Sequence, residues 1–322
     1  IDTISRSSFR YTEVPKHEVK LDGKIGDGGF GDVYKGTWRK SQVAVKVFRG
    51  NNLSRRDVSR ARKEAQVMNT LQHSNVVHFY GLSTEFPTLM IVMELAECSL
   101  DKYIYNSDVE MPFPGIYNIM LGVVAGLDYV HSKGTLHRDI KSFNVLVMLR
   151  GSFRPDNFKL TDFGLAHDTA GNVSQSLLSK GGGGKGTQAW IAPEAHSGTS
   201  NYIYTKAADI YSVGILFYEL LSRCLPYDGK SDLEFYVMLH NKERPDTLHP
   251  VKPGAANEAV ELMRACWDQE PLERPSADKV WEAVNALCIS HPYIGETAPS
   301  SPGIETVVRR EEEAEAVAAR EK

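Results

Sequence analysis

His137-Arg138-Asp139-Ile140-Lys141-Ser142-Phe143-Asn144, followed by Asp162-Phe163-Gly164 and Ala192-Pro193-Glu194, decides how the rest of this chain is read. Any one of these groups is short enough to arise by chance. Together and in this order they match H-R-D-x-x-x-x-N, D-F-G and A-P-E. The set supplies a carboxylate with an ammonium two residues on, then an amide, then a second carboxylate.

Two features upstream add to it. Gly26-Asp27-Gly28-Gly29-Phe30-Gly31-Asp32-Val33 fits G-x-G-x-x-G-x-V. Alone that is weak, because dinucleotide-binding loops carry the same three glycines and run directly into a helix. Here residues 32–38 alternate and soon reach another apolar run at 43–48. The glycines are therefore expected in a β-hairpin turn, where backbone without side chains closes over phosphates. Val43-Ala44-Val45-Lys46 ends a strand in a lysine, which in isolation reads as a surface residue. Glu64, inside the next helical pattern, changes that reading: a helix packed on the sheet pairs the two charges and fixes an ammonium beside a nucleotide's phosphates.

The surrounding pattern gives the layout. Residues 19–25, 31–38 and 42–48 read as strands, 57–71 as a helix with apolar positions Val58, Ala61, Ala65, Met68 and Leu71, and 76–82 and 89–95 as strands again. Helical patterns follow at 116–131, 207–222, 232–241, 258–268 and 276–287. The expected fold class is α+β with two lobes: a small antiparallel sheet with one helix (19–95) and a larger, mainly helical lobe (96–290). Residues 1–18 read as an arm or linker, and 291–322 as a flexible tail or solvated helix.

Composition narrows the class. The chain has 322 residues, 42% hydrophobic and 24% charged, with a formal net charge of -4. Wholesale disorder is excluded, and non-specific nucleic-acid binding is disfavoured. Apolar runs such as 213–221 fall short of the roughly 20 residues that cross a bilayer, so no membrane span is expected. Cys98, Cys224, Cys266 and Cys288 form no C-x-x-C pair, which points to reduced thiols and a cytoplasmic setting. No His pair has zinc-site spacing. A start at Ile1 suggests a piece of a longer protein with flanking regulatory domains.

Taken together, these motifs resemble those of eukaryotic protein kinases over residues 19–290. The resemblance implies phosphoryl transfer from ATP with Mg²⁺ to protein substrates, chemistry that rests on positioning and charge neutralisation. It makes Asp139 the group that accepts or orients the acceptor hydroxyl's proton, Lys141 an ammonium against the γ-phosphate, and Lys46 with Glu64 the phosphate-side pair. Asn144 and Asp162 become the oxygen ligands of the hard Mg²⁺ cation. Gly26, Gly28 and Gly31 cover the phosphates. Ile25, Val33, Ala44 and Leu146 sandwich the purine, Met93 is the gatekeeper, and the Glu94 carbonyl and Ala96 N–H meet the adenine edge. Asp101 is a ribose partner, Thr187 lines the acceptor pocket, Glu194 pairs with Arg274, and Asp209 accepts bonds from backbone near Arg138. Met68, Phe79, His137 and Phe163 form an apolar column.

H-R-D-x-K-x-x-N together with Gly186-Thr187 resembles serine/threonine kinases, while Trp190 and Cys266-Trp267 resemble the tyrosine-kinase branch. That combination is similar to the tyrosine-kinase-like group. A dual-specificity kinase, or a kinase-fold scaffold that acts by binding, are the alternatives. Arg138 before Asp139 implies ordering by phosphorylation, with Thr169, Ser174, Ser176 and Ser179 as acceptors. Two local features stand apart. Residues 148–156 are longer than the family pattern and are expected to protrude as a hairpin, and Cys98 is a candidate reactive thiol.

Overall fold

The computed structural model describes residues 11–28, 31–48, 55–85, 88–106, 108–168, 187–196 and 204–294. Its first half is a five-stranded antiparallel sheet in the order β1-β2-β3-β5-β4, made of β1 (Val19–Gly28), β2 (Gly31–Trp38), β3 (Ser41–Phe48), β4 (Phe79–Ser83) and β5 (Met90–Glu94). One helix, α1 (Arg55–Thr70), lies between β3 and β4 in sequence. The period-2 alternation of a strand sorts β3 into two faces. Val43 and Val45 pack with Val14, Met90 and Val92 in a small cluster on one side. Ala44 and Phe48 join Ala61, Ala65 and Met68 of α1 in the main core on the other. Lys46 shares that parity with Ala44 and Phe48, so strand geometry alone turns it toward the helix.

The arm does not stop at the sheet. Val14 is buried, its N–H donates to the Leu82 carbonyl, and Leu82 N–H donates to Thr12 O. Backbone pairing thus carries Thr12–Val14 along the β4 edge, which covers an otherwise open edge strand.

The second half begins with β6 (Cys98–Ser99) and the short α2 (Leu100–Ile104), then α3 (Phe113–Ser132). Short strands β7 (Thr135–Leu136), β8 (Val145–Val147), β9 (Phe158–Leu160) and β10 (His167–Asp168) follow; β6-β8-β9 form one small sheet and β10-β7 another. The helices α4 (Lys206–Ser222), α5 (Asp232–His240), α6 (Asn257–Cys266) and α7 (Ala277–Ser290) complete it. Every residue of α4 from Ala208 to Ser222 is buried, the pattern of a helix enclosed on all sides. The α2 helix and the two-residue and three-residue strands lie below the length at which periodicity speaks, and the sequence reading missed them.

Among the described residues, α3 is long and apolar enough by composition to cross a bilayer, which the sequence reading did not anticipate. Its apolar positions are spent on packing: Ile119, Met120, Val124 and Leu127 are buried in the core. Glycines let other chain segments reach its axis. A Cβ on Gly122 would stand 2.2 Å from the Pro155 carbonyl oxygen, and one on Gly126 would stand 2.5 Å from Asn75 O. Asn75 then closes the junction, its Nδ2 donating to Pro155 O at 2.6 Å and Phe158 O at 2.9 Å.

That junction corrects the expectation for residues 148–156. β8 and β9 do form a hairpin, but its connection folds back instead of protruding. Asn157 bonds Leu149 and Ser152 across the loop, and the buried Phe153 packs on Gly115 and stacks edge-on with Tyr293. Burying one large aromatic outweighs leaving the loop in solvent. Gly126→Ala is expected to cost about 1–3 kcal/mol of stability through overpacking, read as a lowered urea midpoint with an unchanged slope.

Candidate active site

Strand parity and helix periodicity bring the first charges together. Glu64 falls between Ala61, Ala65 and Met68 on the buried stripe of α1, facing β3. Lys46 Nζ donates to Glu64 Oε1 at 2.7 Å and to Asp162 Oδ1 at 2.9 Å. Burial alone would lower the Lys46 pKa, but the Asp162 and Glu64 carboxylates outweigh it and hold the value raised, so the ammonium keeps its proton. Burial pushes Glu64 up, with Lys46 opposing. Loss of solvent would raise Asp162 too, yet Lys46, Lys141 and His137 keep it below the usual carboxylate range.

The two loops are fastened to each other. Asp139 Oδ2 accepts from Asn144 Nδ2 at 2.7 Å and from Lys141 Nζ at 2.9 Å. Asn144 Nδ2 also donates to the Asp139 carbonyl at 2.8 Å. Thr161 N–H donates to Asn144 O at 3.0 Å, and Thr161 O faces His137 Nε2 at 3.0 Å. Residues 161–162 therefore sit directly beside 137–144. Asp162 adopts a left-handed backbone, φ 60°, which turns its carboxylate to Lys46 while Phe163 stays buried, its ring 4.9 Å from His137. Gly164 sits in a tight spot: a Cβ there would lie 3.2 Å from both Asp162 Oδ1 and Glu64 Oε2.

Asp209, buried on α4, anchors the loop from below. It accepts from the backbone N–H of His137 at 3.0 Å and of Arg138 at 2.8 Å, and from Tyr204 OH at 3.2 Å. His131 Nε2 lies 2.9 Å from it. Arg138 adopts φ 69° there, a strained value that these two amide bonds stabilise. Burial would raise the Asp209 carboxyl, but its bonds and the neighbouring His131 and His137 hold it low.

The residues expected on the purine side lie on β1, β2, β3, β5 and β8. Ala44 pairs with Met93 across β3 and β5, and Gly26 pairs with Val33 across the β1–β2 hairpin. Gly28 pairs with Gly31 at the end of that hairpin. Ile25 is exposed on β1. Leu146 on β8 pairs with Ser99 and Lys159. Glu94 carries a feature the sequence did not signal: its carboxylate takes both bonds from Lys159 Nζ at 2.8 Å, joining β5 to β9. Ala96 follows β5 and is half-buried.

Further out, Arg274 grips Glu194 with two bonds of 2.7 and 2.9 Å. Met68 and Phe79 are buried in the same core as Phe163. Asp101 lies near Glu219 and raises that carboxyl. Burial pushes the Cys98 thiol up to about 11, so it stays protonated and unreactive near neutral pH, which sets aside the reactive-thiol expectation. Thr169, Ser174, Ser176 and Ser179 fall outside the described residues. Sequence reading overlooked Glu219 of α4, the one carboxylate in the run 210–222; an acid inside an otherwise apolar helix was the signal. Among the described residues no three acidic, His or Cys side chains cluster as a metal site.

A family model described as protein tyrosine and serine/threonine kinase matches residues 19–284. The chain is 32% identical over 273 residues to drkD of Dictyostelium discoideum, named as a probable serine/threonine-protein kinase, and 31% identical over 282 residues to the dual specificity protein kinase shkD of that organism. It is 30% identical over 286 residues to mitogen-activated protein kinase kinase kinase 10 of Mus musculus. These matches cover 83%, 86% and 85% of the chain, but only 20%, 36% and 29% of the relatives' own lengths.

A group held below its ordinary value stabilises the fold above its unfolded pKa and loses that contribution as pH falls through the folded value. Asp209→Asn should therefore cost about 2–4 kcal/mol at pH 7, since an amide presents N–H to two donors, and the gap to the parent should narrow below about pH 4. Urea titrations at the two pH values measure it.

Proposed function

The chain belongs to the protein tyrosine and serine/threonine kinase family, and we propose that it transfers the γ-phosphate of ATP to Ser and Thr hydroxyls of proteins, as a member of the tyrosine-kinase-like group. One observation carries the reading: a single ammonium, Lys46, is held between a helix carboxylate and a loop carboxylate, next to the loop that presents Asp139. The bonds among sheet, helix and both loops hold these groups in one arrangement, the kind of preorganisation that phosphoryl transfer needs.

In this reading Lys46, permanently charged, meets the α- and β-phosphates, and Glu64 keeps it from turning away. Gly26, Gly28 and Gly31 cover the phosphates, while Ile25, Val33, Ala44 and Leu146 enclose the purine. Met93 backs the pocket, and backbone groups at Glu94 and Ala96 meet the adenine edge. Asp139 Oδ2 is used by Lys141 and Asn144, so Oδ1 is the oxygen left to receive the acceptor hydroxyl's proton. Lys141, beside it, neutralises charge on the moving phosphoryl group.

The donor set also fits Mg²⁺. Asn144 spends its Nδ2 on Asp139, which leaves the amide oxygen as its ligand atom, and Asp162 spends Oδ1 on Lys46, which leaves Oδ2. These two oxygens would hold Mg²⁺, a hard cation that sheds its waters reluctantly. When bound, the ion would neutralise charge on the phosphates.

Loss of the Lys or of either Asp would favour a scaffold that only binds; Lys46, Asp139 and Asp162 are all present and engaged. The name of shkD keeps dual specificity as a second reading. The four thiols fit a cytoplasmic setting, and the relatives' greater length fits flanking regulatory domains. Activation through phosphorylation of Ser176 or Ser179, paired by Arg138, completes the proposal.

Incubation with Mg-ATP and a peptide library, followed by phosphoamino-acid analysis, should give phosphoserine and phosphothreonine; abundant phosphotyrosine would favour dual specificity. Lys46→Met and Asp139→Asn should each lower transfer by about 10²–10⁴-fold, the scale of one positioned group. Undiminished turnover by Asp139→Asn would remove the role assigned to it. Mapping the phosphopeptides of active protein tests Ser176 and Ser179, and phosphate on other residues alone would reject them.

A further inference from the structure

The connection between β8 and β9 reaches further than a hairpin turn needs to. At its near end, Arg150 N–H donates to Glu97 Oε2 at 2.8 Å, and Arg150 Nε lies 3.5 Å from the same oxygen. The Arg150 side chain also meets the Cys98 thiol. Gly151, at φ 78°, donates its N–H to Tyr103 OH of α2 at 2.7 Å. Asn157 then ties the loop together from inside, taking Leu149 N–H at 2.6 Å and donating to Leu149 O and Ser152 O, both at 2.8 Å. At the far end, the buried Phe153 lies so close to α3 that a Cβ on Gly115 would stand 2.8 Å from its ring. The ring of Tyr293 meets Phe153 edge-on at 5.3 Å.

These contacts run from the purine side of the cleft to the end of α7. Glu97 follows Ala96, and its own N–H donates to Val147 O at 3.0 Å. Leu146 and Val147 pair with Ser99 and Cys98 and lead directly into the loop. Both segments that border the purine in the kinase reading, 96–99 and 146–147, are therefore attached to residues 148–153, one through the Arg150 N–H and the other by chain continuity. On the opposite side, α7 ends at Ser290 and the chain turns back toward α3. The His291 ring meets Tyr117 of α3 at 5.7 Å, and Tyr293 is half-buried beside Phe153. A shift of this segment is felt by the loop through Tyr293.

We propose that Arg150 and Phe153 are positioning residues for the nucleotide, with the segment 291–294 as their outer support: while Tyr293 is seated on Phe153, the loop holds Glu97 and so fixes the backbone at Ala96 that meets the adenine edge. The proposal rests on the kinase reading above. It differs from a plain packing role, in which Phe153 would fill space on α3, Tyr293 would cover it, and the cleft would not respond to either.

A displacement at Phe153 is passed along because the loop has little room to absorb it. A buried ring cannot slide without leaving a void, and the Asn157 bonds hold the turn on both sides of Gly151. The last link is modest. Glu97 is partly exposed, where ion pairing contributes little, and the stronger component is the amide bond from Arg150 to its carboxylate. The expected effect on the nucleotide is therefore a few-fold change in affinity. The role of Glu97 needs an acceptor oxygen, which a glutamine also supplies. The acceptor side is braced separately: Asp139 is held by Asn144 and Lys141, and its loop by Asp209, through bonds that do not involve 148–153.

Michaelis constants for ATP and for a phosphoacceptor peptide are measured in the full chain and in Tyr293→Ala, Tyr293→Phe, Glu97→Ala and Glu97→Gln, together with amide hydrogen exchange. Tyr293→Ala and Glu97→Ala should each raise the ATP constant by about fourfold with the peptide constant within about twofold, a split that loss of packing alone does not produce. Tyr293→Phe, which keeps the ring, and Glu97→Gln, which keeps the oxygen, should both stay within about twofold of the parent. Distant independent sites add, so a Tyr293→Ala, Glu97→Ala double variant no worse than either single one marks the two as one path. Exchange in Tyr293→Ala should quicken at 97–99 and 147–152 and stay unchanged at 43–48. Should Tyr293→Ala fail to fold, Glu97→Ala with Glu97→Gln carries the test. An unmoved ATP constant in either alanine variant, equal rises for ATP and peptide, additive effects, or a phenylalanine variant as impaired as the alanine one would each overturn the proposal. If the parent chain neither binds Mg-ATP nor phosphorylates a peptide, the kinase reading fails, and the exchange pattern alone decides whether Tyr293 braces residues 97–99.

Discussion

A lysine ammonium taken out of water must be neutralised where it sits, and this requirement organises the small lobe. Lys46 is nearly sealed from solvent, and its desolvation would be costly without partners on both sides. One partner, Glu64, is available only if α1 packs on the face of β3 that carries Ala44 and Phe48. The other, Asp162, is available only if a loop from the far half of the chain closes against the sheet. The two halves are therefore joined at this charge, as they also are by Lys159 with Glu94 and by Asn75 with Phe158, and in the proposed reading it is the charge that a triphosphate meets.

The large lobe solves the complementary problem of holding loops still. Its central helix α4 is apolar almost throughout, yet it carries two buried acids ten residues apart in sequence, and each collects hydrogen bonds from loops above it. Asp209 receives the backbone of His137 and Arg138, and Glu219 receives side chains from Ser142 and Trp190. A buried carboxylate without enough donors is expensive, so these loops cannot drift without exposing the helix to that cost. Rigidity of the chemical loops thus follows from the desolvation of the helix beneath them.

Much of this was legible beforehand because short motifs combine residue types that chemistry rarely needs together. Lys46 and Glu64 were readable as a pair since a lysine ending a strand and a carboxylate in the next helix meet when that helix packs on the sheet. Asp209 was readable from its place in the pattern. Glu219, Lys159 with Glu94, and Asn75 were not: each works through partners far away in sequence, and nothing local marks a carboxylate that will be buried or an amide that will bridge two carbonyls. The 148–156 segment was read as protruding because extra length usually faces solvent. A single aromatic, Phe153, finding a glycine-floored site on α3 reversed that.

By itself the sequence determined the order of the longer elements, the buried stripe of α1, and the identity of the charged residues gathered around Lys46. Those follow from side-chain periodicity and residue chemistry, which act over a few residues at a time. Only the tertiary structure decided how the loops are braced, which acids are desolvated, and which way Asp162 turns. These depend on partners brought from opposite halves of the chain, and the free energy of burying a charge is settled by every atom around it at once.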